Sequence, residues 1–229
     1  MICLDEASRT IVKSPHGEEN QADIAIERRI YERIREHGGH EGLLHYHGPY
    51  ESGLRLEFAC NGSLRSFLRK HASDINLEQQ LRWARQIVDA LCFIHSINII
   101  HGDVTCSNIL LDERLDAKLA DFGGSSLDGS PLLVSVTTSH QYLGPALSIQ
   151  GDIFALGSTL YEIMTGNVPY HAFPEEEIKA RYLQRQFPET KSLGPIGDII
   201  THCWYSYYSS FDAIITDIKG QPNTNNLYG

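Results

Sequence analysis

The chain has 229 residues, which suits one large domain or two small packed lobes and excludes a long assembly. Apolar residues make up 41% and charged residues 21%, a globular composition rather than a disordered or fibrous one. Nineteen Lys and Arg against 29 Asp and Glu leave a net charge of −10 without any Lys/Arg block, which argues against nucleic acid or an anionic membrane as partner.

In chain order, Thr10-Ile11-Val12-Lys13 is β-branched and reads as a strand, closed by the turn-prone Ser14-Pro15-His16-Gly17. Residues 20–37 read as a helix whose apolar stripe runs through Ile24, Tyr31 and Ile34. Glu27 falls on that same stripe, and a carboxylate on a buried face needs a cationic partner; Lys13, on the preceding strand, is the obvious one. Residues 43–50 and 53–58 read as two strands joined by a turn at Glu51-Ser52, with no repeat or low-complexity tract around them.

Beyond about Phe58 the pattern turns helical. Asn76 followed by Gln79 resembles a capping box, and Leu77, Leu81, Ala84, Val88, Leu91 and His95 then recur on one helix face. Ile99-Ile100 follows, then a hairpin of Ile109-Leu110-Leu111 and Ala117-Lys118-Leu119-Ala120 turning at residues 112–116. Residues 152–165 are apolar nearly all round and stop at Gly166, the mark of a helix buried on every side. Residues 220–229, rich in Asn, Gly and Pro, read as a flexible tail.

Polar residues concentrate at two places: His101-Gly102-Asp103-Val104-Thr105-Cys106-Ser107-Asn108, and Asp121-Phe122-Gly123. Flanking a short hairpin, they set two carboxylates and an amide at the mouths of adjacent strands. Such oxygen donors suit Mg²⁺ carrying a polyphosphate, and an Asp spared from the metal can orient a hydroxyl nucleophile. Taken one at a time, these residues are ordinary turn formers.

Order and spacing together resemble a eukaryotic protein kinase domain, from about Lys13 to Ile218. His101-Gly102-Asp103 stands where that family has His-Arg-Asp, with Asn108 five residues after the Asp, and Asp121-Phe122-Gly123 matches the magnesium-binding motif outright. Glu57-Phe58-Ala59 and the following Asn61-Gly62-Ser63-Leu64 resemble the hinge and the start of the next helix. Tyr142-Leu143-Gly144-Pro145-Ala146 resembles the end of the activation segment, the stretch from Asp152 to Gly157 the buried helix whose Asp holds the catalytic loop, and Cys203-Trp204 a late helix marker. The resemblance implies an α+β, two-lobed fold with a truncated N-lobe sheet and a mainly helical C-lobe. Residues 1–229 would form one domain, with the N-lobe over 1–58 and the C-lobe over 59–219.

It implies ATP and Mg²⁺ as cofactors. Asp103 would accept the substrate hydroxyl proton, Asn108 and Asp121 would hold the metal, Lys13 fixed by Glu27 would contact the phosphates, and the backbone of Glu57 and Ala59 would bond adenine.

Four departures from the family stand out. Only twelve residues precede Lys13 and they hold no G-x-G-x-x-G, so the usual cover over the phosphates is missing or comes from elsewhere. Gly102 replaces the Arg that pairs with a phosphorylated activation segment. Thr105 replaces the catalytic-loop Lys of Ser/Thr kinases. Ala146 replaces a Glu whose Arg partner would fall near Phe211, so both sides of that buried pair go together, a tolerable loss for the fold.

The expected function is phosphoryl transfer to a protein hydroxyl, with weakened activity. Two alternatives stay open: a pseudokinase retained as a nucleotide- or protein-binding module, and a small-molecule phosphotransferase of the aminoglycoside and choline kinase type, which also reads His-Gly-Asp. Five scattered cysteines without a C-x-x-C pair, an acidic N-terminus and the absence of any 18-residue apolar run predict a cytoplasmic or nuclear protein with no membrane and no nucleic acid among its partners. Four histidines between His37 and His47 raise the question of a metal site, and Cys106 that of a reactive thiol, though no cation stands beside it in sequence.

Overall fold

A computed structural model describes residues 2–5 and 7–220. The tail expected at 220–229 lies outside them except for Gly220. Four antiparallel strands form the first layer: β1 (Ile2–Asp5), β2 (Thr10–Lys13), β3 (Tyr46–Tyr50) and β4 (Gly53–Glu57), in the order β1-β2-β4-β3. Lys13 pairs across to Ile2 on one side and to Leu54 on the other. Helix α1 (Gln21–Glu36) lies against β3 and β4 and buries Ile24, Glu27, Ile30, Tyr31 and Ile34, the stripe read from the sequence.

The remainder is mainly helical, as the α+β reading expected. Helix α2 (Leu64–His71) follows the hinge, and α3 (Leu77–Ser96) begins at Asn76, whose side chain accepts from Gln79 N at 2.8 Å. Short pairs come next: β5 (Ile99–Ile100) with β8 (Ser126–Leu127), and β6 (Ile109–Leu111) with β7 (Ala117–Leu119). Helix α4 (Ile149–Thr165) is buried almost throughout and ends at Gly166 in the left-handed region, φ +77°. Helices α3 and α6 (Pro195–Trp204) pack against it, α5 (Glu175–Leu183) meets it through Tyr182 on Phe154, and α7 (Phe211–Lys219) lies against α3 and α6. Trp83, Ile87, Leu91 and Ile94 of α3 are wholly enclosed. Each such side chain stabilises the fold by about 1.5–3 kcal/mol, and together they fix the platform below the polar loops.

Two local readings change. Strand β1 carries no sequence signal, because Ile2, Cys3 and Leu4 are all exposed and show no alternation; its backbone ladder to β2 alone defines it. The strand expected from residue 43 begins at Tyr46, because Leu43 and Leu44 turn into the core and Leu43 bridges to Leu119 of β7. Tyr205 to Tyr208 form the loop between α6 and α7: Ser206 takes φ +58°, Tyr207 stays exposed, and buried Tyr208 donates to Asp217 at 2.6 Å. Among the described residues no helix is long and apolar enough to cross a membrane.

Candidate active site

The end of β2 aims Lys13 at two carboxylates. Its Nζ lies 2.7 Å from Glu27 Oε2 on α1 and 2.6 Å from Asp121 Oδ1 beyond β7. Glu27 is 1% exposed, and its other oxygen accepts from Phe122 N at 3.3 Å. Burial pushes the Glu27 carboxyl up against the pull of the ammonium, while Lys13, desolvated but flanked by two anions, is held above the ordinary lysine value. Asp121 is held down by Lys13 against the upward push of burial. It occupies the left-handed region at φ +64°, uncommon for a residue with a side chain and held in place by that ion pair.

Phe122, next in the chain, is fully buried beneath α1. Its ring meets Tyr31 edge-on at 5.3 Å and His101 at 5.1 Å, and Tyr31 stacks on Tyr46 at 5.8 Å, so four rings form one column from β3 down to residue 101. Arg33 strengthens the seat of α1, reaching Asp128 with both terminal nitrogens (3.1 and 2.7 Å) and the Ile97 carbonyl at 3.2 Å.

The loop 101–108 hangs from α4. Asp152, buried at the first turn of that helix, accepts from His101 N and Gly102 N, both at 2.8 Å, and from His95 Nε2 at 2.8 Å. These donors hold its carboxyl low despite full burial. His101 donates through Nε2 to the Ala120 carbonyl (3.0 Å) and accepts at Nδ1 from Asp103 N (3.2 Å), which fixes its tautomer. Asn108 donates through Nδ2 to both the carbonyl (2.9 Å) and Oδ2 (2.7 Å) of Asp103. The remaining Asp103 oxygen and the Asn108 Oδ1 are left to meet other groups.

A cavity of about 400 Å³ brings Lys13, Asp103 and Asp121 onto one wall system, with Ser14, His16 and Asn20 from the β2–α1 connection and Asp23 from the first turn of α1. Glu57 and Ala59 lie outside it. The Glu57 side chain turns back to accept from His45 N at 3.1 Å, and Ala59 is buried, its carbonyl accepting from Gly62 N. Leu133 and Val134 also line the cavity.

Residues 131–137 run extended with alternating exposure, Leu132 and Val134 facing inward. Gly102, at φ +77°, lies beneath Leu132, and a Cβ there would come within 2.6 Å of it. A Cβ on Gly124 would overlap Val134 Cγ1 outright. The place where the family's Arg would project is thus filled by the chain's own segment. Thr105 is buried, with no cation of its own to offer, and Phe211 packs its ring on His95 at 4.6 Å while Ala146 stays exposed.

One feature of this region has no motif in the sequence. Arg65 of α2 binds Glu162 of α4 in a fork (2.6 and 2.7 Å), donates to Ser107 Oγ at 2.7 Å, and gives its backbone N–H to the Cys106 carbonyl. Glu162 sits inside the all-round-buried helix, and a charge in such a run was the available signal. The aromatic column had a weaker one, Tyr31 on the α1 stripe. Cys106 is fully buried and burial pushes its thiol well up, which removes the reactive-thiol reading. No group of three or more His, Cys, Asp or Glu among the described residues is placed to hold a metal, so the histidine-rich stretch does not converge.

Residues 10–215 match the family model described as protein tyrosine and serine/threonine kinase. Among curated proteins, the chain is 29% identical over 172 residues to the serine/threonine-protein kinase PDK1 of Cryptococcus neoformans, covering 67% of this chain and 14% of that protein. It is 30% identical over 180 residues to the serine/threonine-protein kinase STY17 of Arabidopsis thaliana, covering 73% and 31%. It is also 27% identical over 173 residues to the megakaryocyte-associated tyrosine-protein kinase of Rattus norvegicus, covering 71% and 36%. The matched stretch is little more than a third of each relative at most.

Proposed function

The chain belongs to the protein tyrosine and serine/threonine kinase family, and on that premise we propose that it transfers the terminal phosphoryl group of ATP to a protein hydroxyl. The observation that carries this reading is Lys13, held at 2.7 and 2.6 Å from Glu27 and Asp121 on the wall of the cavity that also receives Asp103. Oxygen donors from Asp121 and Asn108 fit Mg²⁺, a hard ion that prefers carboxylate, amide oxygen and water beside phosphates. Bound there, Mg-ATP supplies the transferable group and neutralises its charge.

This chain's own residues do the positioning. Asn108 occupies one oxygen of Asp103 and orients the other toward the hydroxyl whose proton it accepts. Glu27 and Asp121 keep the Lys13 ammonium from swinging away. Asp152 and His101 set the loop backbone, and the ring column ties that loop to α1, so assembly of the two halves is cooperative. Asp121-Phe122-Gly123 and the Asp152 helix support a protein kinase over a small-molecule phosphotransferase.

Calorimetry of Mg-ATP binding, beside Lys13→Met and Asp121→Asn, tests the site. The expected result is magnesium-dependent binding that weakens at least about tenfold in each variant, some 1.4 kcal/mol. Transfer to a basic protein, but not to amino-alcohols, is expected to follow. A folded chain that binds no Mg-ATP overturns the reading. The second reading, a pseudokinase, draws on Leu133 and Val134, which line the same cavity as Lys13 and Asp103. Binding without transfer, in the parent and in Leu133→Ala alike, would favour it.

A further inference from the structure

Asp152 secures the head of the catalytic loop, at residues 101 and 102. Its tail is secured by a different device. Arg65 is held by the nearly buried Glu162 and in turn holds two consecutive residues, Cys106 through its carbonyl and Ser107 through its hydroxyl. The next residue is Asn108, whose amide nitrogen grips Asp103 at 2.7 Å. The Asn108 backbone N–H returns to Thr105 O, and its carbonyl accepts from Ala120 N, the residue before Asp121.

We propose that Arg65 is a positioning residue for phosphoryl transfer: from α2 it clamps Ser107 against Glu162, and so sets the Asn108–Asp103 pair at the distance the reaction requires. This inference rests on the transfer reaction proposed above, but it concerns a residue that touches neither nucleotide nor acceptor. Geometry supports a role beyond filling space. All three guanidinium nitrogens are engaged, two of them by the fork to one carboxylate, and such a fork holds the third nitrogen in one direction. A lysine carries the charge but cannot make the fork and the Ser107 bond together. Thr105 leaves the loop without an internal cation, so the only guanidinium bonded to its tail among the described residues comes from outside it.

Four variants separate positioning from stability. Arg65→Ala leaves Glu162 buried and unpaired, so it is expected to lower both Tm and kcat. Arg65→Ala combined with Glu162→Gln removes the orphaned charge. Tm is expected to return toward the parent value while kcat stays down at least about tenfold with KM for ATP unchanged, the signature of lost transition-state geometry. Arg65→Lys is expected to resemble the double variant. Ser107→Ala, which cuts only the link to the loop, is expected to keep Tm and lose about tenfold in kcat.

Hydrogen exchange gives a second readout that needs no activity. In Ser107→Ala and in the double variant, the Asn108 and Ala120 amides are expected to exchange at least about tenfold faster, while α4 amides stay protected. Recovery of kcat together with Tm in the double variant, or parental exchange at Asn108 in Ser107→Ala, overturns the proposal. Should the parent transfer no phosphate, the proposed function fails on that result, while the clamp still stands or falls on the exchange data.

Discussion

The two halves of the site are built from different forces. Asp103 and Asn108 sit on a loop tied to the core by hydrogen bonds: two backbone N–H groups of the loop and the His95 ring converge on one buried carboxylate, Asp152. Lys13, Glu27 and Asp121 come from three separate elements and are held chiefly by charge. Backbone donors neither titrate nor swing, so the first half is fixed when the core folds. The second half depends on a balance among one cation and two anions, which pH and ligands can alter.

The sharpest way to break this contrast is Asp152→Ala. It strands two backbone N–H groups and His95 in the interior, and the expected loss is about 3–5 kcal/mol in denaturant unfolding, as for breaking a buried charged pair. A loss below about 1 kcal/mol would remove the distinction, since surface pairs are worth that much.

Lys13→Met attacks the charged half and is expected to cost less, about 2 kcal/mol at neutral pH, because Lys13 keeps 20% of its side chain exposed and Glu27 can escape by taking a proton. The sign follows: a carboxyl raised in the folded state gains relative stability below that value. The deficit of the variant should therefore shrink on acidification, and unfolding curves between neutral and acid pH would reveal the narrowing.

His140 supplies a pH test on the core side. It is buried beside Ser139, and burial pushes its imidazole down to about 3 from 6.5. The unfolded chain takes up the proton first, so this group leaves stability intact above about 6.5 and erodes it as pH falls toward 3, by about 1.4 kcal/mol per pH unit. His140→Asn is expected to flatten that part of the stability–pH curve; an unchanged slope would show that the ring is not kept neutral. The smallest effect expected is favourable. The Tyr31 hydroxyl is enclosed with no hydrogen-bond partner among the described residues, so Tyr31→Phe should keep the ring column and gain about 1 kcal/mol in unfolding experiments.

Legibility in the sequence followed the same division. The short-range motifs around Asp103, Asn108 and Asp121 could be read because loop geometry is encoded within a few residues. The Lys13–Glu27 pair could be read because an acid on an apolar stripe demands a cation. Helix α4 declared itself by its all-round apolar run. What escaped was stabilised across distance or by backbone alone. Arg65 and Glu162 are 97 positions apart, and nothing near either names the other. Strand β1 forms from a ladder that side-chain pattern does not report. The bend at Leu43 arises because its core contact outweighs strand propensity, a tertiary decision.

Gly124 and Val134 impose an order on sequence change at this site. The glycine has an ordinary backbone angle, so it is crowding by residue 134 that excludes a side chain there: the Val134 Cγ1 would overlap a Cβ, with the Val134 Cβ and backbone N each at 3.1 Å. A side chain at 124 is admitted only after position 134 has been trimmed, while trimming 134 first removes the Cγ1 overlap and opens 124 to alanine. The two positions therefore form a ratchet in sequence space, with one accessible path and one blocked path between the same end points. A two-by-two library of Gly124→Ala and Val134→Gly would display that asymmetry directly as sign epistasis.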